Sequence, residues 1–168
     1  MTGLVVRTVT VIYAALAIIT FSVTPARSLS AGEVERVVKV LEQLADDIGD
    51  LAYDEEAAEI WYEEDEAYEQ RIAAAGFSRA EWIRALDATM KGYFASLSNE
   101  RVAEMLAPLL EFERRQDLSE AQKAAARAMI AAWYEKMATW RAQGAADAAV
   151  VRPFAERIAR ALGADDAY

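Results

Sequence analysis

Three helix-start signals of one kind punctuate this chain and constrain its fold more than any other feature. Ser30 with Glu33, Ser78 with Glu81 and Ser119 with Gln122 each set a hydroxyl three residues ahead of a Glu or Gln. At that spacing the Ser side chain takes a free helix N–H while the acid or amide reaches back to the cap. Stop signals answer the starts: Gly49, Gly76, Gly144 and Gly163 stand where a helix ends in a left-handed residue. Asn99 and Asp147 are further candidate N-caps. Between these marks the apolar residues recur every three or four positions, the period of a helix with one buried face. The chain is therefore expected to be all-α, an antiparallel helical bundle of five to six helices with short connections, following an N-terminal signal segment.

The signals place helices over 32–47, 51–75, 79–97, 100–115, 120–143 and 148–162. Pro108 falls inside the fourth and is expected to kink or split it, because proline lacks the N–H and clashes with the preceding turn. Pro153 is expected to open a shorter last helix after a loop through 145–151. Apolar stripes run along Trp82, Ile83, Leu86, Met90, Tyr93 and Leu97, along Met129, Trp133, Met137 and Trp140, and along Val151, Phe154, Ile158 and Leu162. Large aromatics fill the layers of an Ala-rich bundle, so these residues read as core. The alternative is a pocket for an apolar ligand between the Trp-bearing helices.

Residues 1–28 do not belong to this bundle. One basic residue, Arg7, precedes an uncharged run from Thr8 to Thr24, and small residues follow at Ala26, Ser28, Ser30 and Ala31. That order is a secretory signal peptide, too short for a confident span of about 20 apolar residues. Cleavage after Ala26, Ser28 or Ala31 fits the pattern, and an uncleaved segment would instead anchor the chain to a membrane. The chain lacks the Cys of a lipoprotein and the twin Arg of a Tat substrate. The expected location is periplasmic or secreted, with residues 29–168 as a single helical domain.

The chain has 0 His and 0 Cys. This removes disulfides, His or Cys zinc sites, a Cys nucleophile, c-type haem attachment and a Ser-His-Asp triad. Stability must come from packing, which a chain of this size can supply.

The charge is concentrated in residues 46–69, which carry twelve carboxylates and no Lys or Arg: Asp46, Asp47, Asp50, Asp54, Glu55, Glu56, Glu59, Glu63, Glu64, Asp65, Glu66 and Glu69. Taking those twelve from the 28 acids, and Arg7 and Arg27 from the 18 bases, leaves 16 of each in the rest of 29–168. On a helix over 51–75, Glu55, Glu56, Glu59, Glu63, Glu66 and Glu69 spread over one side, opposite Tyr53, Ala57, Ile60, Trp61, Tyr68 and Ile72. Like charges one turn apart repel by a few tenths of a kcal/mol each. An acidic face without one interspersed base is a candidate contact surface for a cationic protein partner or divalent cations. The alternative is a solvated face that aids solubility. Glu64 falls among Ile60, Trp61 and Tyr68. It is a candidate buried acid, unless it reaches water at the stripe's edge or pairs with Arg71 or an Arg of the next helix.

No specific metal site and no cofactor are expected. Placing Gly49 at position six of an EF-hand loop puts Leu44 at position one, where Asp is needed. Diiron bundles need His, and the Met residues lack the spacing of a soft copper site. Weak Ca²⁺ or Mg²⁺ binding at Asp46, Asp47, Asp50 and Asp54 remains. Nucleic acid is disfavoured by the charge, and there is no Gly-rich phosphate loop and no G-x-S-x-G elbow. A carboxylate-only enzyme, such as a glycan-cleaving hydrolase, is an alternative class, since two acids can run that chemistry. No pair is singled out.

From Tyr68 to the end the motif order is Gly76-Phe77-Ser78 with Glu81-Trp82, Leu118-Ser119-Glu120 with Gln122-Lys123, and Val151-Arg152-Pro153-Phe154. It resembles a family of small, exported, all-helical bacterial proteins of unassigned function. The resemblance implies export and a helical fold, and lends no catalytic or binding residue. The expected function is an exported binding or interaction module.

Overall fold

The computed structural model describes residues 28–49 and 51–163. Most of the expected signal segment, together with Asp50, lies outside them. Among the described residues the fold is all-α. The elements are α1 (Ala31–Ile48), α2 (Ala57–Ala67), α3 (Arg71–Ala74), α4 (Arg79–Ser96), α5 (Asn99–Arg114), α6 (Glu120–Gln143), α7 (Ala148–Val151), a 3₁₀ turn (Arg152–Phe154) and α8 (Ala155–Ala161). None of these helices is long and apolar enough to cross a membrane.

All three capping boxes form. Ser30, Ser78 and Ser119 each accept from the backbone N–H three residues on, and Glu33, Glu81 and Gln122 each accept from the cap's own N–H. The fourth start lies one residue earlier than expected: Ser98, not Asn99, caps α5, accepting from Arg101 N at 3.1 Å. Asn99 instead accepts from Arg141 at 2.8 Å. Gly49, Gly76 and Gly163 have the positive φ of helix stops. Gly144 does not: its φ is −85°, and the reason for glycine there is proximity.

Helix α4 is the centre of the fold and packs against α1, α2, α6 and α7. Trp82, Ala85, Leu86, Met90 and Tyr93 are buried along it. Helix α1 contributes Val34, Val37, Val38, Leu41 and Leu44 to the same core. The expected aromatic core is present: Phe94 stacks on Trp140 with centroids 5.2 Å apart, and Tyr53 leans on both. Helix α6 departs from its expected stripe. Met129 is 48% exposed, while Ala126, Ile130, Met137 and Trp140 are the buried residues of a helix that packs against both α4 and α5.

Two expected helices are broken, and at Pro108 the helix does not split. Residues 51–56 are not helical, α2 stops at Ala67, and a separate turn of helix, α3, follows Gln70. The carboxylate of Asp54 ends the non-helical stretch by accepting from Glu56 N at 2.9 Å and Ala57 N at 2.8 Å, a side-chain cap three residues into the expected helix. The last expected helix splits into α7, the 3₁₀ turn holding Pro153, and α8. Pro108, by contrast, lies exposed inside an unbroken α5.

The body is tied by ion pairs between distant helices. Arg157 of α8 donates to Glu42 of α1 at 2.7 Å and to Glu35 at 3.0 Å. Arg84 of α4 donates to the buried Glu33 at 2.6 Å. The hydrogen bond from Arg157 holds the Glu42 carboxyl below the usual glutamate range, against the effect of burial. At Glu33, burial pushes the carboxyl up, but the bonds from Arg84 and Ser30 together outweigh it and the net shift is downward.

A group depressed in the folded state stabilises fully above its unfolded pKa, about 4.3 for Glu. That contribution is lost as pH falls through the lower folded value. Thermal unfolding followed from pH 7 to pH 2.5 should therefore show midpoints that hold to about the unfolded glutamate value and drop below it. Arg157→Gln should melt earlier at neutral pH, with the gap to the parent closing in acid. A gap that persists at pH 2.5 would show that the pair with Glu42 is not what Arg157 contributes.

Candidate functional site

The acidic segment folds into two parts that differ in charge balance. In the first, cations from other elements neutralise the carboxylates. Glu55, in the non-helical stretch, accepts from Lys136 Nζ at 2.6 Å and from the Trp140 indole N–H at 3.1 Å. These bonds, with that from Lys136 the larger influence, hold its carboxyl below the usual range. Glu59 and Glu63, one turn apart on α2, share Arg79: its guanidinium pairs with Glu59 and donates to Glu63 at 2.6 Å. Half of the expected acidic face, Glu55, Glu59 and Glu63, thus has basic partners that the local sequence did not reveal.

The second part is the α2–α3 break. Asp65 is 5% exposed, and its carboxylate accepts from Arg71 N at 3.0 Å and Ile72 N at 2.8 Å, capping α3 from six residues upstream. Its backbone carbonyl also accepts from Gln70 N at 2.9 Å. This double hold fixes Gln70 in the left-handed region at φ 53°, a conformation that costs a residue with a Cβ roughly 1–2 kcal/mol. The buried acid of this helix is therefore Asp65, and Glu64 is exposed. The expected apolar side is rotated as well, for Ile60 is 46% and Tyr68 82% exposed. Asp65→Ala would leave two N–H groups beside a core residue without an acceptor, at a cost of about 1–3 kcal/mol. Hydrogen exchange should show Arg71 and Ile72 losing protection while α1 and α4 keep theirs. Uniform protection loss would mean that Asp65 acts on the whole bundle instead.

Around the break lies a cleft of about 520 Å³, lined by Leu44, Asp47, Ile48, Glu64, Asp65, Tyr68, Glu69 and Arg71. Its floor is the end of α1, where the apolar stripe of Leu41 and Leu44 overshoots the body and leaves Ile48 57% exposed. Asp47 pairs with Arg71 on one side. Among the described residues the carboxylates of Glu64 and Glu69 have no hydrogen-bond or ion-pair partner. Three carboxylates singled out in the sequence for different reasons, Asp47, Glu64 and Glu69, thus meet in one place. Glu56, just before α2, and Glu66, on it, are exposed and lie outside the cleft lining.

The arrangement limits the chemistry. Both Asp65 oxygens are taken by backbone N–H groups, Asp47 is held by Arg71, and Glu64 and Glu69 face solvent. Among these acids no two are sheltered, facing and free, as acid–base hydrolysis needs. The described members of the expected cation set, Asp46, Asp47 and Asp54, form no metal-holding group. Asp54 caps α2, Asp47 is paired, Asp50 is undescribed, and among the described residues no three His, Cys, Asp or Glu side chains are placed to hold a metal ion together. The cleft contains no Trp; Trp61, Trp82 and Trp140 are buried in the core.

Sequence reasoning missed Ile48 and Asp65. Ile48 was detectable as the next member of the α1 stripe, seven residues after Leu41 and directly before a helix-ending Gly. Asp65 had no local signal, because its function as a cap depends on the chain turning back after Ala67. No family model, curated protein or solved structure matches this chain, so the residues themselves carry the functional reading.

Proposed function

We propose that the protein is an exported, helical recognition module that captures a partner segment carrying basic side chains beside apolar ones, in the cleft at the α2–α3 break. The observation that carries this reading is the pairing of exposed Ile48 and Tyr68 with the unpartnered carboxylates of Glu64 and Glu69. An apolar pair in a cleft gives a segment something to bury against, at about 25 cal/mol per Å² removed from water. Carboxylates beside it select for Lys or Arg and speed encounter. Export is supported by the order of Arg7, an uncharged run and small residues at the N-terminus.

The contact surface is narrower than a whole acidic helix. Reversing Glu55, Glu59 or Glu63 would break bonds to Lys136, Trp140 and Arg79, so the informative substitutions are in the cleft. With a fluorescent peptide alternating Lys and Leu as probe, Glu64→Lys/Glu69→Lys is expected to weaken binding by about tenfold or more. Tyr68→Ala should weaken it by a similar factor, and raising the salt from about 50 to 500 mM should do so in the parent protein. The same charge change at exposed Glu135 and Glu156 controls for overall charge. Equal loss in that control would make the effect nonspecific. Unchanged binding in the cleft variant would retire the reading.

A further inference from the structure

We propose that Ser28–Leu29 is the bond cut when the exported chain is processed, and that the α-ammonium group freed at Leu29 is bound by the Asp147 carboxylate. The inference rests on the export reading above.

Three bonds compete in the sequence, after Ala26, after Ser28 and after Ala31, and the fold separates them. Leu29 is 6% exposed and belongs to the core, whereas Ser28 before it is exposed. Among the described residues, burial therefore begins at Leu29. Ser30 closes the α1 capping box, accepting from Glu33 N at 3.2 Å and giving its own N–H to Glu33 at 3.2 Å. A cut after Ala31 would remove a core side chain and that cap together, and would strip the buried Glu33 of every partner but Arg84. A cut after Ala26 would leave the Leu29 nitrogen an amide, with a single N–H for Asp147.

The cut after Ser28 creates a group for which the fold holds a partner. The Leu29 nitrogen lies 3.3 Å from Asp147 Oδ1, a contact spanning 118 residues. An amide there makes one long, neutral-donor bond, near the outer limit for N–H···O. An ammonium at the same place carries three donors and a full charge, and such charge-assisted bonds are shorter and stronger. Asp147 stands at the cap position of α7, yet its side chain makes no capping bond. Its carboxylate faces Leu29 instead. Ala26 and Ser28 also occupy the third and first positions before this bond, the small-residue pattern that signal-cleaving endopeptidases read.

The chemistry is hydrolysis. Water adds across the Ser28 carbonyl carbon and the Leu29 nitrogen, and the C–N bond breaks. Ser28 leaves as a carboxylate, and the nitrogen, having taken up protons, becomes the ammonium. A membrane-bound endopeptidase of the export route acts on the chain before folding buries Leu29.

The test is to express the full chain in a bacterial host with an export system and determine the first residue by intact mass and N-terminal sequencing. Leu29 is the expected start. A start at Arg27 or Gly32 overturns the inference and leaves export standing; an unprocessed chain overturns both. For the ammonium, the chain starting at Leu29 is compared with its N-terminally acetylated form, each with Asp147 or Asp147→Asn. The substitution is expected to lower Tm by about 3 °C or more only when the amine is free. Equal losses in both forms would overturn the ion pair. If Asp147→Asn fails to fold, the parent decides: acylation of the α-amine should be at least tenfold slower folded than in urea, and equal rates would overturn it.

Discussion

Gly144→Ala is expected to lower stability by about 3 kcal/mol or more, the upper part of the range for forcing extra volume into a packed site. A Cβ built at Gly144 falls 2.1 Å from the Lys91 carbonyl carbon and oxygen and 2.6 Å from Gly92 N. These are backbone atoms inside α4, so no side chain can rotate away. The end of α6 would have to lift off the central helix. At roughly 2–4 °C per kcal/mol for a domain of this size, Tm should fall by about 10 °C. Gly32→Ala is the matched control. It is the same change within a helix, but the added methyl meets nothing within 4 Å, so it is expected to be neutral or stabilising by up to about 1 kcal/mol. If the two variants melt together, the close approach of α6 and α4 is wrong.

Trp82→Ala should cost about 3–5 kcal/mol, the range for emptying a buried aromatic site. Trp82 is 0% exposed, meets Phe77 edge-on at 5.9 Å, and donates its indole N–H to the Ala58 carbonyl at 2.9 Å. That bond fastens α2 to α4. The loss should therefore be uneven: in hydrogen exchange α2 should open at lower free energy than α1 or α4. Peptide capture at the cleft should weaken with it, because α2 carries Glu64. Trp82→Phe, which keeps an aromatic ring but loses the donor, is expected to fall between the parent and the Ala variant. Uniform exchange across all helices would mean that Trp82 holds the whole bundle rather than the α2 contact.

The positions where reading and structure part share a cause. Caps are written in neighbouring residues, so Ser30, Ser78 and Ser119 were legible from spacing alone. Asp54 and Asp65 also cap helices, but as members of a run of acids they looked like surface charge. Glu55, Glu59 and Glu63 looked unpaired because their cations, Lys136 and Arg79, sit on α6 and at the start of α4. Gly144 was rightly marked as the end of a helix, for a conformational reason that does not apply. Its neighbour in space is 53 residues away in the chain, and no local pattern encodes that.

Sequence alone determined the all-α class, most helix starts, the core face of the central helix and the confinement of the excess charge to residues 46–69. These follow from interactions between residues three or four apart, which a periodic pattern records. Tertiary structure decided where the acidic segment breaks, which carboxylates are neutralised, and that Ile48, Glu64, Tyr68 and Glu69 share one cleft. Those outcomes depend on which helices pack side by side, and pairing between distant elements leaves no mark in the order of neighbouring residues.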